Sequence, residues 1–232
     1  DRLSAVGACF GEKLGWERPN WFAPKGMKAK DEYSFERPNW FESVGVEHRA
    51  VRQAVWLFDQ SSFAKFEVEG RDAQRALDWL CANDISKPPG SLTYTQMLNR
   101  RGGIECDLTV ARVAEDAYYI VTGTGFRTHD FAWIAGNIGG DLDATLTDVT
   151  EENGVLSLMG PAARDVLARA TKADVSKVAM PFGACCDIEL AGAPVRALRV
   201  SYVGELGYEL HHATEYQTHL YAVLMETERK ST

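Results

Sequence analysis

Two stretches of this chain run through the same order of elements, and that duplication constrains the fold more than anything else in the sequence. Gly70-x-x-Ala73-x-x-x-Leu77 and Gly160-x-x-Ala163-x-x-x-Leu167 each follow a short apolar run and open an apolar stripe of helical period. In the first stretch a strand is expected at 64–69, then a helix at 71–82 with Ala73, Ala76, Leu77 and Leu80 inward. Three strand-like segments follow near 92–99, 104–113 and 117–122, and a helix around 127–137 closes the half. In the second stretch a strand at 155–159 leads into a helix from Pro161, whose missing N–H is harmless in a first turn. Strands near 186–190, 195–202 and 207–211 come next. A last helix at 215–228 carries Tyr216, His219, Leu220, Val223 and Leu224 on one face. Both halves read β-α-β-β-β-α. The expectation is an α+β fold made of a duplicated unit, with a ligand cleft between the halves.

Residues 1–43 break the pattern, being rich in Trp, Pro, Phe and charge. The hexapeptide Glu17-Arg-Pro-Asn-Trp-Phe22 returns verbatim at Glu36–Phe41, which reads as two similar turns in an irregular arm that pins aromatic rings onto a neighbour. The regular domain is then 44–232. The start at Asp1-Arg-Leu-Ser has no initiator Met and no signal-peptide pattern, and reads as a chain cut from something larger.

Charge and cysteine content exclude several classes. Asp and Glu number 33 against 25 Lys and Arg, a net charge of −8, which argues against nucleic-acid and anionic-membrane partners. No apolar run approaches the roughly 20 residues that span a bilayer. Five irregularly spaced cysteines suggest packed, reduced thiols in the cytoplasm, or in the mitochondrial matrix if the source is eukaryotic. No metal-ligand spacing is present, and the adjacent His211 and His212 should point to opposite faces of a strand. There is no GxGxxG loop, since Gly123-Thr-Gly125 lacks the third glycine, and no P-loop or Gly-x-Ser-x-Gly elbow.

Chemistry concentrates on two short apolar strands, each with a carboxylate that packing does not ask for. Around Cys106, alternation sends Leu108 and Val110 to one face and Asp107 and Thr109 to the other, while Gly102-Gly103 lets a backbone or flat ligand approach. In Tyr202-Val-Gly-Glu-Leu-Gly-Tyr-Glu209, Tyr202 ends a strand, two glycines allow a tight turn, and Glu209 enters the next strand. A carboxylate there can accept a fork of N–H donors such as a guanine or pterin edge offers, with tyrosine rings against its faces. Tyr94 could add another ring. A solvated Asp107 and a Glu209 paired with Arg196 or Arg199 are the plainer readings.

Tyr94…Asn99, Gly102-Gly103-Ile…Asp107-Leu, Leu158-Met-Gly160-Pro161 and Tyr202-x-Gly-Glu-x-Gly-Tyr-Glu209 resemble the folate-binding aminomethyltransferase (glycine cleavage T-protein) family. Gly15–Phe22, Ser34–Phe41, Glu47–Arg52 and Phe58–Phe66 resemble more finely the C-terminal folate domain of dimethylglycine and sarcosine dehydrogenases. The resemblance implies that Asp107 is the catalytic aspartate near the folate nitrogens. It implies that Tyr94, Tyr202 and Glu209 contact tetrahydrofolate, with Glu209 at the pterin, and that Thr109 and Gly123 are further contacts. The implied function is capture, as 5,10-methylenetetrahydrofolate, of the one-carbon unit released by N-methyl oxidation.

The same resemblance implies partners and departures. FAD would belong to an absent N-terminal domain of the same parent chain, with 1–43 as the linker from it. Without that FAD domain, amine oxidation by this segment alone is not expected; the family's C-terminal β domain and a folate-contacting arginine are also not matched. The alternatives are a T-protein-like aminomethyltransferase of glycine cleavage and a non-catalytic folate-binding or regulatory subunit.

Overall fold

The computed structural model describes residues 2–229. After a single helical turn, α1 (Arg2–Ala5), strands β1 (Ala8–Lys13) and β2 (Trp16–Phe22) form an antiparallel hairpin. The two identical hexapeptides therefore differ. The first is β2, with Trp21 only 1% exposed and its indole N–H donating to Asp31 Oδ1 at 2.7 Å. The second closes an irregular stretch and enters helix α2 (Phe41–Gln53), with Trp40 edge-on to Tyr33. Identical local preference gives two conformations because only the first copy has a strand to pair with.

From residue 56 the chain forms β3 (Trp56–Asp59), β4 (Ala64–Glu69), α3 (Ala73–Leu80), β5 (Ser91–Leu98), β6 (Ile104–Ala114), β7 (Ala117–Thr122) and α4 (Arg127–Asn137). It continues as β8 (Thr145–Asp148), β9 (Asn153–Met159), α5 (Ala163–Ala170), β10 (Cys185–Leu190), β11 (Ala193–Leu198), β12 (Gly207–Ala213) and α6 (Gln217–Arg229). The duplicated β-α-β-β-β-α order is present as β4-to-α4 and β9-to-α6. Each half is preceded by a four-residue strand, β3 or β8; the spacing of Val51, Ala54, Val55 and Phe58 reads as one helical face, but α2 stops at Gln53 and Phe58 lies on β3.

Those two short strands cross over. One sheet has the order β5-β6-β7-β4-β8 and the other β10-β11-β12-β9-β3. Thus β3, which leads the first half, pairs with β9 of the second, while β8, which leads the second, pairs with β4 of the first. The halves exchange their leading strands and form one interlocked body.

The exchange explains the repeated glycine. Gly70 (φ +134°) follows β4 and lies against the backbone of Asp143, just before β8. Gly160 (φ +131°) follows β9 and lies against Ala54, just before β3. A Cβ at either would overlap that backbone, and its φ is one that only glycine adopts readily. The next turn closes the joint in both places: Asp72 N–H donates to Asp143 O, and Ala162 N–H to Ala54 O, each at 3.0 Å.

Period-two alternation gives each sheet two apolar faces. Phe66, Val68, Leu108, Val110 and Ile120 pack outward on α3 and α4, while Leu156, Leu158, Val195, Ala197 and Leu210 pack outward beside α5 and α6. Leu92, Ala111, Tyr119, Val121, Cys185 and Leu198 form a third, smaller core where the inner faces of the sheets meet. Four cysteines are buried, Cys186 is half-buried, and all five are unpaired thiols. Among the described residues no helix is long and apolar enough to cross a membrane.

Candidate functional site

The two carboxylate-bearing strands, β6 and β12, belong to different sheets, and each turns its carboxylate to the face on which the sheets meet. On β5 and β6 the register sets Tyr94 opposite Thr109 and Gln96 opposite Asp107. All four lie on the inner face by alternation, with Tyr94 55% exposed, Asp107 exposed and Thr109 buried. Gln96 Nε2 donates to Asp107 Oδ1 at 2.9 Å, which steers the carboxylate along the strand edge. Hydrogen bonding to that carboxylate raises the Tyr94 phenol above its ordinary pKa.

From the other sheet come Tyr202 and Glu209. β11 ends at Leu198, so Tyr202 stands in the bend before β12 rather than at a strand end, a correction to the sequence expectation. The bend reverses too sharply for ladder pairing, with Gly204 at φ +74°. It is pinned from below by Arg52 of α2, whose Nη1 donates to Val203 O and pairs with Glu205 Oε1, both at 3.1 Å. The Tyr202 ring is largely exposed, but its hydroxyl end is tucked toward Thr109. That partial burial, with the charge of Glu209 and then Asp107 nearby, raises its pKa.

Glu209 is the most unusual group in the site. It pairs through its backbone with Leu198 and Ser157 in the middle of the sheet and is 2% exposed. His211 Nε2 lies 3.3 Å from Oε2, whereas Oε1 is buried with no hydrogen-bond partner. Arg196 pairs with Asp187 instead, and Arg199 reaches Gly207 O, so neither arginine expected as a plain partner neutralises Glu209. An uncompensated buried carboxylate oxygen costs free energy unless a ligand donor meets it.

The remaining expectations divide. Gly123 follows β7 and begins a 3₁₀ turn, next to Thr122, whose hydroxyl lies 3.5 Å from Asp107 O; it is near the strand of Asp107 but is not joined to the tyrosines. Gly102-Gly103 forms a closed turn. Gly102 has φ +80°, and Asn99 Oδ1 accepts the N–H groups of Arg101 and Gly103 at 2.9 and 3.0 Å. His211 and His212 do point apart, the first to Glu209 and the second to Gln217 Oε1 at 2.6 Å.

Gln96, His211 and Arg52 were not foreseen. Gln96 was recoverable, since it sits two residues from Tyr94 on one strand face. The other two depend on tertiary pairing. Folding also brings Cys106 to the adjacent pair His129 and Asp130, 23 and 24 residues further along, with ligand atoms within 4.8 Å of one another. There Asp130 already accepts from Thr122 at 2.6 Å and contacts His129 Nδ1 at 2.9 Å, which makes the group a hydrogen-bonded brace behind β6.

The family model described as GCVT N-terminal domain matches residues 1–231. Mitochondrial sarcosine dehydrogenase of Homo sapiens is 37% identical over 91% of this chain and 27% of its own length. Mitochondrial dimethylglycine dehydrogenase of Rattus norvegicus is 39% identical over 93% of this chain and 25% of its own. This chain thus spans about a quarter of the length of each of these two relatives. The crystal structure of glycine cleavage system aminomethyltransferase T from Bartonella henselae superposes with a TM-score of 0.78 and 25% identity, covering 97% of this chain and 55% of that one. The duplicated, strand-exchanged fold is that of the aminomethyltransferase T-protein, and the chain belongs to the GCVT N-terminal domain family.

Proposed function

We propose that this chain is the tetrahydrofolate-binding part of a sarcosine- or dimethylglycine-dehydrogenase-like enzyme, and that it captures a one-carbon unit as 5,10-methylenetetrahydrofolate. The observation that carries the reading is the unpartnered Oε1 of Glu209, buried in the inner wall beside Tyr202 and across from Asp107. A pterin fits it: a flat heterocycle with N–H donors on one edge would satisfy Oε1, and Tyr202 and Tyr94 offer exposed rings for its faces. Thr109 would add a hydroxyl contact, and Gly123 would leave room beside the strand of Asp107.

Tetrahydrofolate supplies, when bound, the nucleophilic nitrogens that accept the one-carbon unit. The chain's own part is to hold and to place. Glu209 orients the ring, the tyrosines exclude water from its faces, and Asp107, steered by Gln96, takes up a proton or steadies positive charge. The one-carbon species would come from an FAD domain of the same parent chain, with residues 1–43 running between the two. Most of the rate gain then comes from holding both reactants together.

The likeness to an aminomethyltransferase over nearly the whole chain favours a second reading, transfer from a lipoyl-bound aminomethyl group with release of ammonia. Titration of tetrahydrofolate followed by addition of formaldehyde separates the cases. The proposal requires one saturable folate site and faster condensation on the protein than in solution. A chain that shows no saturable site contradicts it, and ammonia release from an aminomethyl-lipoyl donor favours the second reading.

A further inference from the structure

Behind Glu209 lies a hydrogen-bonded chain that leads away from the candidate folate site. Tyr119 of β7 belongs to the first half, and its hydroxyl lies 3.0 Å from His211 Nδ1 in the second; the rings meet edge to face at 5.3 Å. His211 Nε2 in turn faces Glu209 Oε2. All three residues are 1–2% exposed.

With Glu209 taken as the carboxylate, donor accounting leaves one arrangement for a neutral His211. A carboxylate only accepts, so the proton between His211 and Glu209 sits on Nε2. A neutral imidazole then has its lone pair on Nδ1, and the Tyr119 hydroxyl donates to it. Burial lowers the His211 pKa, which keeps the ring neutral at pH 7. Charged groups surround it from each packed element: Glu209 on β12, Arg196 on β11 and Lys65 on β4, with Glu67 of β4 lining the same cavity. That cavity, about 580 Å³ and lined in part by Tyr119, Arg196 and His211, opens on the far side of the imidazole.

We infer that His211, held by Tyr119, is a positioning residue that fixes the Glu209 carboxylate through Oε2 and so presents Oε1 to the ligand. This rests on the folate reading above. A carboxylate on a two-carbon stem has several rotamers, and a buried donor behind it selects the one that faces the cleft. The chain joins both halves of the duplication, so the acceptor for the ligand is set by a contact across the sheet interface.

Two measurements test it. Nitrogen-15 NMR of the imidazoles should show His211 as the Nε2–H tautomer in the ligand-free chain; an Nδ1–H tautomer overturns the inference. Calorimetry with tetrahydrofolate then compares His211→Leu with His211→Gln, whose amide N–H can replace the Nε2 donor. Leu should weaken binding about 10-fold or more, in line with loss of a hydrogen bond to a charged group, and Gln by less than about threefold. In a Glu209→Gln background the Leu change should cost nothing further, which a merely structural role would not produce. Equal affinity of His211→Leu and wild type, or an equal loss in both backgrounds, overturns the inference. If His211→Leu does not fold, Tyr119→Phe takes its place with a smaller expected loss, about threefold, and no loss overturns the inference. Absence of binding by the wild-type chain defeats the folate reading and the role with it, while the tautomer still reports separately on the geometry.

Discussion

Gln96 donates to Asp107 Oδ1 at 2.9 Å across directly opposed positions of β5 and β6, so an exposed carboxylate has a fixed heading. That cross-strand rung separates Asp107 from an ordinary solvated edge aspartate. Asp107→Asn keeps the shape and should leave tetrahydrofolate affinity within a few-fold, while on-protein condensation of formaldehyde falls on the order of 10²-fold, the usual worth of a positioned acid or base. Rapid-mixing assays at saturating folate read the effect. An unchanged rate would remove Asp107 from the chemistry.

The bend carrying Tyr202 owes its position to Arg52, which reaches it from α2 rather than from either half of the duplication. Arg52 is half-exposed, so the contact is modest in energy but local in effect. Arg52→Ala should leave the melting temperature within a few degrees and weaken tetrahydrofolate binding several-fold through loss of order at Tyr202. Fluorescence titration of both proteins checks this.

The strand exchange makes a stability prediction. Gly70→Ala and Gly160→Ala should each destabilise by more than about 2 kcal/mol, because both the backbone conformation and the contact forbid a Cβ. Gly136→Ala, inside α4 with open space around it, should stabilise by about 0.5–1 kcal/mol. Urea unfolding of the three variants measures the contrast. Because each half holds the other's leading strand, a single transition is expected.

Lys65 provides a pH signature. Its ammonium is fully buried where the β3–β4 and β8–β9 connections meet, donating to Ser61 O at 2.8 Å and Asn153 O at 2.6 Å, and burial lowers its pKa to about 8. In the unfolded chain it returns to about 10.4. Between those values the unfolded state binds more protons, so the cost of burying the charge is full below pH 8 and fades as pH rises. Relative to Lys65→Met, wild type should gain up to about 3 kcal/mol between pH 7.5 and 10.5, with the common titrations cancelling in the difference. A flat difference would mean that the lysine titrates normally.

Much of this was legible in the sequence, for physical reasons. The helices α3 and α5 announce themselves by apolar period, and the glycines before them by an identical offset, so the duplication was readable. β3 and β8 are four residues long with partners about 100 and 80 residues away in sequence, and no local pattern encodes which half receives them. Asp107, Tyr94 and Glu209 stood out as polar groups on apolar strands. Which Glu209 oxygen is satisfied, and by whom, depends on Tyr119 and His211, and only the register of two sheets brings those together.

The central claim is that Glu209 holds the ligand and Asp107 serves the transfer. Calorimetric titration of tetrahydrofolate into wild type, Glu209→Gln and Asp107→Asn tests it most directly. The account predicts one site in the wild type, a loss of about 10- to 100-fold in Glu209→Gln from removing a charge-assisted hydrogen bond, and near-wild-type affinity in Asp107→Asn. Equal affinity of wild type and Glu209→Gln would contradict it.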